Sequence, residues 1–363
     1  MTGQGLGQGA GRSSALKPLV LFRADATAAM GTGHVMRCLA LAEMLRDRGF
    51  EVAFAAAELT PATARRLAAE QVAVHPIEPA ADVSAGQTIA LARALDARAV
   101  VVDGYGFSGD WRLALRALGV PVLAFQDLDD GLPLHADLVL NAAADPTDAR
   151  WRRAAPDATF LAGPRYVLLR RELRRAQATP AVPVAARTAV LVTFGGADPA
   201  GLTLPVAAAL DRRLGPEVAL DVVIGGSVPE AGRLALCVAS LGDQIAIHLD
   251  PPEMGPLMAR AGLAVSAAGG TIGELAALGV PALIAIVADN QREGAARAVA
   301  DGWCEAFDAR DPAAIEAMAD RAAVLWADAA LRQAMADRTI GLIDAEGAGR
   351  VADALAHALQ TLW

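Results

Sequence analysis

The sequence has little cysteine, few aromatic side chains, no excess of positive charge and no long apolar run. Cysteine occurs three times in 363 residues, at Cys38, Cys237 and Cys304. The three are far apart, odd in number and form no C-x-x-C pair. That excludes a zinc knuckle and makes a reducing cytoplasm the natural compartment. Lys and Arg number 32 against 41 Asp and Glu, a formal net charge of −9. Proteins that track nucleic acid carry a basic surface, so no nucleic-acid partner is expected. The longest uninterrupted apolar stretch, Leu275 to Ala288, contains Gly279 and Pro281. It is shorter than the ~20 residues that span a bilayer and reads as a helix end, a turn and a buried strand. Mean hydropathy is +0.35, but much of it is alanine, and aromatics are only 4%. No integral membrane segment is expected. Residues 1–17 are rich in Gly, Ser and Gln and lack a signal peptide's apolar run, so a disordered tail is expected there.

What is present is an ordered globular composition, 54% hydrophobic and 20% charged. The length predicts two domains, each large enough to bury its own core without disulfide or metal staples. Short apolar runs alternate with glycine-rich turns and amphipathic stretches, the signature of βαβ units and parallel sheets. Strands are expected at Pro18–Phe22, Glu51–Ala55, Ala99–Val102, Val120–Phe125 and Leu138–Leu140. A helix is expected at His34–Arg48, where Val35, Cys38, Leu39, Ala42 and Leu45 share one face. A second series of strands follows at Thr188–Phe194, Ala219–Ile224, Leu263–Ser266 and Val280–Val287. The expected organisation is an N-terminal domain over 18–175, a linker over 176–187, a second domain over 188–345 and a closing helix over 346–363. The fold class is α/β, with two Rossmann-like doubly wound domains facing an interdomain cleft. Open α/β sheets bind ligands at the carboxyl ends of their strands, and every glycine cluster lies at such an end.

Five segments carry chemistry. Asp25 and Met30-Gly31-Thr32-Gly33-His34 lead into the first helix. They break the dinucleotide fingerprint, whose third glycine position is Met36, and so disfavour a nicotinamide dehydrogenase. A helix N-terminus disfavours imidazolium, which suits His34 as a general base. Asp25 is placed to hydrogen-bond His34 or to bind the helix N-terminus. The structural alternative is a capping turn with an exposed histidine. Asp103-Gly104-Tyr105 ends a strand, where a hydroxyl orients a sugar or water, or the loop simply covers the sheet edge. Gly195-Gly196-Ala197-Asp198-Pro199 and Gly269-Gly270-Thr271-Ile272-Gly273-Glu274 present backbone N–H groups toward a phosphate. Neither is a P-loop. Thr271 and Glu274 also have capping-box spacing; otherwise the Glu274 carboxylate reaches a ribose diol. Asn290-Gln291 is an amide pair at the last strand end. Asp127-Leu128-Asp129-Asp130 has D-x-D form, but no further ligand pairs with it, so a solvated loop is expected and no metal. His75, His135, His248 and His357 sit in no constellation.

In order, Arg23-x-Asp25-x4-Met30-Gly31-x-Gly33-His34-Val35-Met36-Arg37-Cys38-Leu39, Asp103-x-Tyr105, Phe194-Gly195-Gly196-Ala197-Asp198-Pro199, Glu274 with Leu278-Gly279-x-Pro281, Asn290-Gln291 and Ile343-Asp344-x-x-Gly347-Ala348-x-Arg350-Val351 resemble the UDP-2,4-diacetamido-2,4,6-trideoxy-β-L-altropyranose hydrolases of pseudaminic acid biosynthesis. The resemblance spans about Leu19 to Leu359. It implies the glycosyltransferase-B (GT-B) architecture and a metal-independent, cofactor-free hydrolase that releases UDP and free sugar with inversion. It assigns His34 as the base, with Asp25, Tyr105 and Asn290 beside it. It places Gly31, Gly33, Arg37, Gly195, Gly196, Gly269, Gly270, Thr271, Glu274, Asn290 and Gln291 around the UDP-sugar. The product feeds the glycosylation of flagellin and other bacterial surface glycans. A cytoplasmic monomer with a small-molecule substrate is expected.

The chain departs from that pattern at Gln126-Asp127, where the family often has two acids, at Gly131, where it often has arginine, and at Gly273, where it often has an aromatic. These departures bear on the sugar. The alternatives are a GT-B glycosyltransferase using a UDP-amino sugar and a nucleotide-sugar-binding protein without catalysis.

Overall fold

The computed structural model describes residues 17–127 and 131–361. The tail expected over 1–17 lies, but for Lys17, outside the described residues. Seven parallel strands form the first sheet: β1 (Leu19–Ala24), β2 (Glu51–Ala56), β3 (Ala73–Pro76), β4 (Ala97–Asp103), β5 (Val122–Phe125), β6 (Leu138–Asn141) and β7 (Thr159–Ala162). Their spatial order is β3-β2-β1-β4-β5-β6-β7. Six more form the second sheet: β8 (Ala189–Thr193), β9 (Ala219–Ile224), β10 (Ile245–Leu249), β11 (Ala261–Ala267), β12 (Ala282–Ile286) and β13 (Cys304–Asp308), in the order β10-β9-β8-β11-β12-β13.

Central strands such as Val190-Leu191-Val192 are buried on both faces, as parallel strands under helices must be. Two apolar cores cover the faces of each sheet. The expected strands all occur, with ends moved by a few residues. β1 continues through Arg23 and Ala24, and β12 stops at Ile286. The strands not anticipated are β3, β7, β10 and β13, which are the four edges of the two sheets.

The chain passes between the halves twice. Leu169 and Leu173 are buried against the second sheet's core. The closing helix, Gly347–Thr361, returns to the first half, where Ala348, Val351, Ala352 and Leu355 share a core with Val35, Leu39, Ala42 and Leu45. Burying Val351 and Leu355 completely stabilises that return by about 1.5–3 kcal/mol each. Arg48 pairs with Asp353 at its edge. The two passages touch: a Cβ on Gly347 would stand 2.1 Å from the Val167 carbonyl.

No helix among the described residues is long and apolar enough to cross a membrane.

Candidate active site

Each sheet reverses its winding direction once, and that is where open α/β sheets bind ligands. In the first sheet the reversal lies between β1 and β4, whose ends are paired Ala24 to Asp103. The chain leaves β1 through a loop closed by the Thr27–Gly31 bridge and enters the Gly33–Asp47 helix. His34 is the second residue of that helix and is buried, with 6% exposure. Its Nδ1 lies 2.7 Å from Oδ1 of Asp103, which is 1% exposed.

Arg37, one turn further on, grips the same carboxylate. Its Nε donates to Oδ2 at 2.5 Å and its Nη2 to Oδ1 at 2.6 Å. The Cys38 thiol is 3.7 Å from Oδ2. Burial alone would push the Asp103 pKa up, but Arg37 and His34 outweigh it and hold the carboxyl well below the usual range. Burial would likewise lower the Arg37 pKa, but Asp103 and Asp127 raise it well above the ordinary value. An ionised carboxylate accepts the Nδ1 proton of a neutral imidazole, leaving Nε2 as the acceptor. Arg37 Nη2, 3.2 Å from Nδ1, is itself only a donor and does not compete for that role.

Asp25 is not the partner of His34. Its Oδ1 accepts from the Ala57 and Glu58 amides at 2.7 and 3.2 Å and pairs with Arg23 at 2.7 Å. It ties the loop after β1 to the loop after β2. The orienting carboxylate, Asp103, lies 69 residues from His34. Its sequence signals were its place at the end of a Val-Val-Val strand and in the Asp103-x-Tyr105 segment.

Tyr105 sets its ring edge-on to His34, with centroids 4.7 Å apart and planes at 84°. Its hydroxyl donates to Asp127 Oδ1 at 3.0 Å and accepts from Asn290 Nδ2 at 2.6 Å. Burial, then Asp127, raises its pKa, so the phenol stays protonated. Asp127 also accepts from Arg37 Nη1 at 2.8 Å. A continuous polar path therefore runs from His34 through Asp103, Arg37, Asp127 and Tyr105 to Asn290 on the opposite half. Leu128-Asp129-Asp130 of the expected acidic loop lie outside the described residues. Among the described residues no group of three or more His, Cys, Asp and Glu is arranged to hold a metal.

In the second sheet the reversal lies between β8 and β11. Gly195 and Gly196 follow β8. Gly196 needs its missing side chain, because a Cβ there would stand 2.2 Å from Thr32 Oγ1 across the cleft. A Cβ on Gly225, after β9, would stand 2.3 Å from the Gly196 carbonyl. Asp198 is structural: it accepts from the Leu202 and Thr203 amides, both at 2.9 Å, at the start of the Thr203–Arg213 helix. Gly269 and Gly270, after β11, are exposed with open space where a side chain would be.

The capping box expected of Thr271 and Glu274 does not form. Gly270 is the N-cap and no side chain caps the Thr271–Ala277 helix. Glu274 instead lies 3.7 Å from Arg170, which pairs with Glu172 at 3.0 Å. Burial, opposed by Arg170, leaves the Glu274 pKa raised. Gln291 also turns away from its expected place: its Oε1 accepts from the Val287 amide at 2.9 Å, leaving Asn290 alone of the pair to reach across. At Gly273 the missing side chain is replaced by Val167, whose Cγ1 is 2.7 Å from where a Cβ would stand.

Further contacts bridge the halves at the cleft's two sides. Thr60 and Ser227 hydroxyls meet at 2.6 Å, Arg66 donates to the Pro251 carbonyl at 3.0 Å, and Arg150 to Glu293 at 3.0 Å.

This two-sheet arrangement matches solved structures over nearly its whole length. The MurG of Acinetobacter baumannii matches with TM-score 0.60 and 21% identity, over 94% of this chain and 99% of that one. The spinosyn rhamnosyltransferase SpnG, solved with thymidine diphosphate, matches with TM-score 0.62 and 17% identity, over 93% and 99%. The fold is the two-domain GT-B fold.

No protein-family model matches the chain. Among curated proteins, an uncharacterized protein of Methanocaldococcus jannaschii is 24% identical over 278 residues, covering 74% of this chain. The match spans about half, 56%, of that relative's length. The UDP-2,4-diacetamido-2,4,6-trideoxy-β-L-altropyranose hydrolase of Campylobacter jejuni is 24% identical over 257 residues, covering 70% of this chain and 86% of that protein.

Proposed function

We propose that this GT-B chain hydrolyses a UDP-linked 2,4-diacetamido-2,4,6-trideoxy sugar at its anomeric C–O bond. The observation that carries the reading is the histidine–carboxylate pair on one lip of the cleft, facing Asn290 on the other through the Tyr105 hydroxyl. The likeness to the Campylobacter hydrolase supports the choice of substrate.

In this mechanism His34 Nε2 takes a proton from water as the water oxygen attacks the anomeric carbon. The C–O bond to UDP breaks, and its electron pair leaves with the diphosphate. Attack opposite the leaving group inverts the centre. Asp103 holds the ring and stabilises the imidazolium that forms. The diphosphate is already a competent leaving anion, so one base suffices where ordinary inverting glycosidases use an acid as well. The exposed Gly269-Gly270 turn offers backbone amides to the diphosphate, and Glu274 a carboxylate to the ribose diol.

Incubation with the UDP-sugar and no acceptor, followed by NMR of the products, tests the proposal. Free sugar of inverted configuration plus UDP supports it. Intact substrate with UDP still bound refutes it and favours transfer to an acceptor, the activity named for SpnG, one of the solved neighbours. Turnover is expected to be unchanged by EDTA. Inhibition rescued by a divalent cation would return the acidic loop to consideration.

A further inference from the structure

We propose that Arg37 is a positioning residue for His34: by occupying both oxygens of Asp103 it fixes the carboxylate that holds the imidazole ring and offsets that carboxylate's charge. This rests on the reading of His34 as the base, and it reassigns a residue expected to bind UDP.

Each Arg37 nitrogen is committed to a carboxylate. Nε and Nη2 are on Asp103 at 2.5 and 2.6 Å, and Nη1 is on Asp127 at 2.8 Å. Its guanidinium carbon lies 5.0 Å from the centre of the Phe125 ring, a stacking that fixes the plane of the fork. A diphosphate bound through those same N–H groups would have to displace the two carboxylates. Helical spacing explains the placement, because residues three apart share a face, and His34 and Arg37 therefore reach the same β4 carboxylate together.

The charged and titratable groups near His34 come from both halves, and β1, paired with β4, carries the Arg23–Asp25 ion pair at 2.7 Å. The Gly33–Asp47 helix contributes Arg37 and the Cys38 thiol. β4 contributes Asp103, and the loop after it contributes Tyr105. The loop after β5 contributes Asp127, and the opposite half contributes the neutral amide of Asn290, through Tyr105. Beside that ion pair, the fixed charges with Arg37 present are two carboxylates, Asp103 and Asp127, and one guanidinium. Without it two carboxylates remain, and both favour imidazolium, which cannot act as a base. Arg37 thus offsets the charge of the carboxylate that orients the ring.

The test compares Arg37→Met, Arg37→Gln, Arg37→Lys and Asp127→Asn with the parent. The readouts are the titration of the His34 imidazole followed by NMR in substrate-free protein, the pH profile of kcat/KM, and UDP affinity. Arg37→Met is expected to move the imidazole midpoint and the acid limb of kcat/KM upward by about one pH unit or more. UDP affinity is expected to hold. Arg37→Lys, which keeps the charge, is expected to restore most of the midpoint. Asp127→Asn, which removes one carboxylate, is expected to move it downward, and Arg37→Gln, expected to move it upward as Arg37→Met does, provides the test if Arg37→Met does not fold. An unchanged midpoint in folded Arg37→Met overturns the proposal. A loss of UDP affinity with an unchanged midpoint overturns it too, and returns Arg37 to the nucleotide site. A parent that does not hydrolyse the UDP-sugar refutes the hydrolase reading, while the imidazole titration still decides the role of Arg37.

Discussion

Replacing Asp103 by Asn tests whether the buried carboxylate orients His34, the proposed base. The substitution keeps the shape and removes the charge that His34 and Arg37 share at 2.5–2.7 Å. Loss of a hydrogen bond to a charged group costs about 1.5–3 kcal/mol, which is about 10- to 160-fold in turnover. An asparagine amide pointing its N–H₂ at Nδ1 would also reverse the tautomer and add to the loss. Arg37 would keep Asp127 as a partner but lose its bidentate grip. Breaking a buried ion pair costs about 3 kcal/mol or more when the remaining charge is uncompensated, and Asp127 reduces that figure here.

The pH dependence has a definite sign. A carboxylate held below its ordinary pKa contributes stability that is complete above about pH 4 and is lost as pH falls toward its folded value. The stability gap between parent and variant is therefore widest at neutral pH and narrows below about pH 4. Steady-state turnover and denaturant unfolding at several pH values measure the two effects. A folded Asp103→Asn protein with parental turnover would refute the orienting role.

Three further outcomes are expected. His34→Ala should lower turnover by about two orders of magnitude or more while calorimetric UDP affinity holds; an equal loss of affinity would make His34 a binding residue. Tyr105→Phe keeps the edge-on ring but removes the hydroxyl shared by Asp127 and Asn290. It should cost about five- to tenfold in kcat/KM, and no change would show that the bridge is idle in turnover. Gly225→Ala places a methyl against the Gly196 carbonyl and should destabilise the fold by about 1–3 kcal/mol in denaturant unfolding; an unchanged midpoint would mean the loop yields freely.

Much of this molecule was legible in one dimension. Runs such as Leu19-Val20-Leu21-Phe22 and Val190-Leu191-Val192 are apolar because both of their faces are covered, so the central strands and the parallel class followed from composition and period. The glycine turns after β1, β8 and β11 marked the two winding reversals, and His34 was visible at the head of its helix. The edge strands were not. Val74 and Leu249 are exposed, and such strands, paired on one side, need no continuous apolar run. The partner of His34 was equally hidden. A sequence ranks neighbours by spacing, which favoured Asp25, nine residues away. Sheet pairing instead brought the end of β4 beside the end of β1, so Asp103 reached the imidazole while Asp25 was taken up by backbone amides. Tyr105 and Asn290 each stood out at a strand end, but that one hydrogen-bonds the other depends on how two separately wound halves face each other. Local chemistry and period are carried by neighbouring residues and survive in the linear chain. The identity of a partner across a sheet reversal or a cleft is set by packing distance, and only the folded protein holds that information.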